Sequence, residues 1–175
     1  MKNTLSSLFL LPANGGGMEN DMSFDKAKIY IDKMGYSDRV MQFKESSATV
    51  ELAALAVGTE PARIAKSLTF KVDEKPVMIL CAGDAKVSNS KFKEFFHTKA
   101  KMLTREEVSE MIGHDVGGVC PFGINDGVSV YLDESLKRFD IVYPACGDSA
   151  SAVKLSIPEL EEISQFIQWI DVCNY

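Results

Sequence analysis

Residues 66–82, KSLTFKVDEKPVMILCA, decide the class of this domain. From Lys66 to Val72 polar and apolar residues alternate, with Leu68, Phe70 and Val72 on one side and Ser67, Thr69 and Lys71 on the other. A period of two marks a strand, and the apolar side is predicted to be its buried face. Val77 to Ala82 is apolar without interruption, as expected of a strand covered on both sides. Lys66 falls in phase with the predicted buried face. An unpaired buried ammonium is costly, so Lys66 reaches solvent from the strand end, pairs with an acid or faces a pocket.

Outward from this pair, helices and strands intermingle. Phe24, Ala27, Ile31 and Met34 recur at helical spacing up to Gly35. Arg39 to Phe43 reads as a short strand, Thr49 caps a helix over Val50–Val57 that stops at Gly58, and Pro61 opens a short third helix. Downstream, a polar helix is predicted near Ser90–Phe96, and Thr104 with Glu107 forms a capping box for a helix ending at Gly113. Val128–Leu132, Phe139–Tyr143 and Ala152–Ile157 read as strands. Ser156 and Glu159 form a second capping box, opening a helix that carries Leu160, Ile163, Ile167 and Ile170 on one face. The mixture predicts a single α/β or α+β domain.

Composition agrees. The chain has 175 residues, 46% hydrophobic and 25% charged, with a formal net charge of −6. That suits one globular domain with a core large enough to need no metal or disulfide staple. No apolar run approaches the roughly 18 residues of a membrane span. The acidity argues against indiscriminate coating of nucleic acid but leaves room for a local basic patch. Cys81, Cys120, Cys146 and Cys173 are scattered, no C-x-x-C occurs, and His97 and His114 are the only histidines. Reduced thiols in the cytoplasm and no zinc are expected. Residues 1–21 match a signal peptide poorly, because Ser6 and Ser7 break the apolar run and no A-x-A site follows. They are expected to be a flexible N-terminal extension, with the domain over 22–175.

Three local signals bear on chemistry. Gly113, Gly117, Gly118, Gly123 and Gly127 crowd into one stretch whose centre is Gly117-Gly118-Val119-Cys120-Pro121-Phe122-Gly123. Such a loop either connects strands tightly or presents N–H groups to a carbonyl or carboxylate oxygen. It is neither a Walker loop nor a dinucleotide fingerprint, and no cofactor is expected. Lys66 is the second signal. The third is residues 84–101, where Lys86, Lys91, Lys93, Lys99 and Lys101 face only Asp84 and Glu94, with Phe92, Phe95 and Phe96 interleaved. This run is a phosphate-contacting face or a solvated helix with its phenylalanines in the core. A Cys120–His114 thiol pair lacks support from spacing, and no G-x-S-x-G elbow exists for a serine triad.

Four blocks in order carry a resemblance: Ser47–Ala54 with Ile64–Leu68; Ala82-Gly83-Asp84 leading into the basic helix; Val116–Gly123; and Leu132–Leu136 through Gly147 to Val153-Lys154-Leu155. Together they resemble the YbaK/EbsC family of aminoacyl-tRNA deacylases, related to the editing domain of bacterial prolyl-tRNA synthetases. The resemblance spans about residues 23–172 and implies a mixed β-sheet curled towards a barrel, with a cleft beside a glycine-proline loop. It implies that Lys66 contacts the terminal nucleotide of tRNA. Gly117 and Pro121 match the ends of a G-x-x-x-P motif whose backbone orients the aminoacyl group, with Gly118 between them. Phe43, Ser67, Cys120, Phe122, Gly123 and Gly147 are expected around that group, and Lys86, Lys91 and Lys93 at the phosphates of the acceptor stem. Cys120 stands where relatives often carry serine, which points to loop geometry rather than a thiol nucleophile. Near Ala152 some relatives carry an acid, and this departure bears on amino-acid preference.

The implied activity is trans-editing hydrolysis of mischarged aminoacyl-tRNA, foremost tRNA(Pro) carrying a small non-cognate amino acid. An aminoacyl ester is already activated, so positioning water or a ribose hydroxyl and stabilising the oxyanion suffices. The expected partners are the aminoacyl-tRNA acceptor end and prolyl-tRNA synthetase. The alternatives are a non-catalytic tRNA- or nucleotide-binding module of the same fold, and a thiol enzyme using Cys120.

Overall fold

The computed structural model describes residues 17–175, with side chains from residue 22. Helix α1 (Gly17–Lys33) leads through a 3-10 turn (Ser37–Arg39) to β1 (Val40–Gln42). Helix α2 (Val50–Val57) and a 3-10 turn (Pro61–Arg63) precede β2 (Ile64–Val72) and β3 (Lys75–Ala82). Then come β4 (Lys86–Val87), α3 (Asn89–Phe96), and α4 (Arg105–Glu107), which passes into a π-helical turn (Val108–Ile112). The last third holds β5 (Ser129–Asp133), a 3-10 turn (Glu134–Arg138), β6 (Ile141–Pro144), β7 (Ser151–Val153) and β8 (Leu155–Ser156). Helix α5 (Ile157–Ile163), β9 (Trp169–Ile170) and β10 (Cys173–Asn174) complete it. The expected boundary at residue 22 falls inside α1, and residues 1–16 of the expected extension lie outside the described residues.

Six strands form one mixed sheet in the order β8-β6-β2-β3-β5-β9, curled into a half-barrel. β2 and β3 pair antiparallel from Ala65–Ala82 to Val72–Lys75, and the β2–β6, β3–β5 and β5–β9 pairs are parallel. β1 pairs with β7, and β10 with β4, as separate two-stranded ribbons. Met78 through Ala82 of β3 are fully buried, as the unbroken apolar run requires. No helix of the described residues is long and apolar enough to cross a membrane.

Local signals account for most element ends. Thr49 accepts from the Leu52 N–H at 3.2 Å, and Gly58 closes α2 in the left-handed conformation. Both capping boxes form, at Thr104–Glu107 and Ser156–Glu159. Four expectations need correction. β2 does not have one wet face: Thr69 is buried along with Phe70, while Leu68 and Val72 are only half-buried. The chain at 101–103 runs along the open edge of β2, with Lys71 N–H donating to Lys101 O at 2.8 Å and Leu103 N–H to Thr69 O at 3.1 Å. The strand expected over Ala152–Ile157 is two strands with different partners, β7 on β1 and β8 on β6. Phe139 closes the 3-10 turn rather than opening β6. Helix α5 stops at Ile163, leaving Ile167 exposed and Ile170 in β9.

Replacing Leu80, wholly buried in β3, with alanine is expected to cost about 2–5 kcal/mol in thermal or urea unfolding. Leu55→Ala, at a side chain 78% exposed on α2, should change stability by less than about 0.5 kcal/mol. Equal losses at the two positions would contradict the placement of the core.

Candidate active site

A cleft of about 330 Å³ opens above β2. Its walls are the approach to α2 at Ser47–Thr49, the segment around Met102, the glycine loop at Val116, Gly117 and Val119, and the chain from Tyr143 to Ala152. Lys66 and Asp148 are the two charged residues of its lining. Lys66 is half-buried, and its Nζ donates to the carbonyls of Gly83, at 3.2 Å, and of Ala85. These two backbone acceptors compensate for lost water and fix the ammonium without neutralising it. Neighbouring Asp84 is spoken for by Arg138, whose guanidinium takes the carboxylate with two nitrogens and holds its pKa below the usual range. Ser67 also lines the cleft, and its Oγ is buried without a hydrogen-bond partner among the described residues.

The glycine loop presents two faces. Gly117 and Val119 line the cleft, while Gly118, Cys120, Pro121 and Phe122 are buried away from it. Gly117 adopts φ +105°, which a residue with a β-carbon rarely accepts. Gly118 is required by close approach: a Cβ there would lie 2.3 Å from both Asp148 N and Gly147 C. The Gly147 N–H donates to Gly118 O at 3.0 Å and joins the two loops. Neither the Gly117 N–H nor the Val119 N–H donates to a backbone acceptor among the described residues.

The structure therefore brings Lys66, Ser67 and Gly117 into one cleft and places the other expected residues around or behind it. Phe122 is a core side chain stacked on Tyr30 at 6.2 Å between ring centroids, and Gly123 and Gly147 pack against the backbone of α1. Phe43 is half-buried beside the cleft-lining chain, its N–H donating to Ala150 O at 2.7 Å. Lys86, Lys91 and Lys93 are outside the cleft lining. Lys91 is paired with Asp171 at 2.8 Å and with Cys173 O at 2.8 Å, whereas Lys93 lines a second hollow with Lys99. Phe92 is buried in the core and Phe95 and Phe96 pack on Tyr131, so the interleaved aromatics hold the helix down.

Cys120 and His114 come closer than their spacing suggested, with Sγ 3.6 Å from Nε2. The pair is nonetheless unsuited to nucleophilic work. Both side chains are buried, the His114 Nε2 sits 2.7 Å from Phe122 O, and burial pushes the Cys120 thiol up and the His114 imidazole down in pKa. A neutral thiol beside a neutral imidazole in a dry core is a packing contact. The sequence reasoning missed Asp148, Ser151 and Tyr143. Asp148 follows Gly147 in a polar stretch, a pattern that by itself marks only a surface turn. Ala152 is buried on β7 against Met41.

The chain matches the aminoacyl-tRNA editing domain over residues 44–163. It belongs to that family. The match covers β2, the glycine loop and Asp148, the parts that build the cleft. Among its relatives is the uncharacterized protein YwhH of Bacillus subtilis (strain 168), 46% identical over 87% of this chain and 98% of the other. The proline–tRNA ligase of the same strain is 32% identical over 69% of this chain, which spans 20% of that enzyme. A crystal structure provisionally described as a trans-editing enzyme for prolyl tRNA synthetase superposes with a TM-score of 0.79 at 28% identity, covering 87% of this chain and 98% of that one. The expected likeness to the synthetase editing region and the curled mixed sheet both stand.

Gly118→Ala is expected to move the Gly147–Asp148 loop, since backbone rather than a flexible side chain blocks the added methyl. It should lower stability by about 1–3 kcal/mol in thermal unfolding. An unchanged melting temperature would mean that the loops are not in contact.

Proposed function

We propose that this editing-domain protein hydrolyses the ester of mischarged aminoacyl-tRNA, foremost tRNA(Pro) bearing a small non-cognate amino acid. The observation that carries the reading is one cleft lined both by Lys66, whose ammonium is held by two backbone carbonyls, and by a glycine loop whose Gly117 and Val119 N–H groups meet no backbone acceptor among the described residues. Lys66 would meet the terminal nucleotide. The Gly117 and Val119 N–H groups would take the charge that develops on the ester carbonyl oxygen as water adds. The C–O bond then breaks, and the ribose oxygen leaves with a proton. A preorganised oxyanion donor of this kind is worth about 10²–10³ in rate. Pro121 fixes a loop torsion behind the cleft, and Gly118 allows the loop to lie against Gly147.

The hollow at Lys93 and Lys99, with exposed Lys86 beside the same helix, suits the phosphates of an acceptor stem. Lys91 is the weaker contact because Asp171 already neutralises it. Discrimination by pocket size, the logic of a second sieve, would spare the cognate amino acid. Prolyl-tRNA synthetase is the partner that the relationship to proline–tRNA ligases favours, and the cytoplasm the compartment.

Single-turnover release of labelled alanine, cysteine, serine or proline from tRNA(Pro), and of alanine from tRNA(Ala), tests this. Wild type should clear at least one mischarged species, and Lys66→Ala should slow it about 100-fold. Binding of tRNA without release from any member would instead favour a non-catalytic module. Cys120→Ser should keep the rate within about threefold of wild type, because the buried thiol does no chemistry; its inactivation without unfolding would restore the thiol reading.

A further inference from the structure

We propose that Asp148 receives the α-ammonium of the substrate, so that the cleft accepts esters of free amino acids and turns away N-acylated and peptidyl esters. This rests on the deacylase reading above and adds to it a determinant of substrate class. Asp148 Oδ1 is organised by the Ala150 N–H at 2.9 Å and the Ser151 Oγ–H at 2.6 Å. Oδ2 accepts no hydrogen bond among the described residues, and Asp148 makes no ion pair among them. Lys66, the other charge in the cleft, is held by the Gly83 and Ala85 carbonyls instead. Asp148 thus lines a mostly apolar cleft with one carboxylate oxygen lacking a partner among the described residues, and such an oxygen favours a cation.

The position of the carboxylate identifies the cation. The Asp148 peptide lies against Gly118, and Gly147 N–H donates to Gly118 O, so this acid adjoins the loop proposed to hold the ester carbonyl. In an aminoacyl ester the ammonium is carried by the carbon next to that carbonyl. Donors for the oxygen and an acceptor for the nitrogen must therefore be neighbours. The turn is also braced from the far wall, where Ser47 Oγ donates to Ser149 O at 2.9 Å. A charge-assisted hydrogen bond in a preformed site discriminates strongly. Acylation of the nitrogen removes the charge and adds bulk there, so the nascent chain on peptidyl-tRNA would be protected.

The test compares alanyl-tRNA(Pro) with N-acetyl-alanyl-tRNA(Pro), each rate divided by spontaneous hydrolysis in buffer, for wild type and Asp148→Asn. Asparagine keeps the turn, because its side-chain oxygen still accepts from Ala150 and Ser151, while the charge is lost. Acetylation should slow wild type about 10–100-fold. Asp148→Asn should lose a similar factor on the free-amine ester and become indifferent to acetylation. Wild type cleaving both esters alike, or the variant keeping the preference, would overturn the proposal. Cleavage of neither ester by wild type would remove the alanyl ester as substrate, and the comparison is then made with the panel member that wild type clears; no release from any member removes the deacylase reading instead. Binding of 3′-alanylamido-3′-deoxyadenosine and its N-acetyl form then decides the inference: tighter binding of the free amine, lost in Asp148→Asn, upholds it, and equal binding sinks it.

Discussion

Eight residues of β2 lie opposite eight of β3, and this antiparallel pair holds the rest of the domain in place. β3 is buried on both faces, so it must be central and must be flanked on both sides. β5 takes its far edge, and β2 covers the near one. β2 then has its own second edge to satisfy, and two different segments do so: β6 at Ile64 and Ala65, and the chain at 101–103 further along. Between these two, β2 is left without a strand neighbour, and the cleft opens there. Its location is thus a consequence of how backbone hydrogen bonds are shared along one strand.

Within the cleft the chemistry depends on contacts between backbones. Gly118 lets two loops meet closely enough that the Asp148 peptide lies against the glycine loop between Gly117 and Val119, while Gly147 makes room for the backbone of α1. Side-chain burial sorts the remaining polar groups. Cys120 and His114 lie behind the loop, where burial favours their neutral forms, while Lys66 and Asp148 line the cleft. The cleft lining holds serine and threonine hydroxyls but no histidine or cysteine to activate one, and its positioned dipoles suit an activated ester that needs orientation more than covalent help.

Much of the fold could be read from local signals, since capping boxes, glycine stops and the period-two run are properties of neighbouring residues. The errors came where the outcome depends on distant partners. The 101–103 chain lies against β2 at Thr69, Ile170 pairs in β9 with β5 instead of continuing α5, and residues 151–156 divide between β1 and β6. Among candidate site residues, Lys66 stood out by breaking an apolar phase. Asp148 gave no such signal, since an acid after a glycine in a polar stretch looks like any surface turn.

The sequence by itself determined the mixed class, the β2–β3 pair, the capped starts of the helices, the single domain, the glycine loop and the family resemblance. These rest on short-range periodicity and on residue types that act over a few positions. Only the tertiary structure decided which side of the glycine loop faces the cleft, that Cys120 and His114 are inert together, that Lys91 is neutralised by Asp171, and that Asp148 stands beside Gly118. Each of these depends on which residues, far apart in the chain, share a desolvated volume. That follows from how the sheet closes and from the backbone hydrogen bonds left over when it has done so.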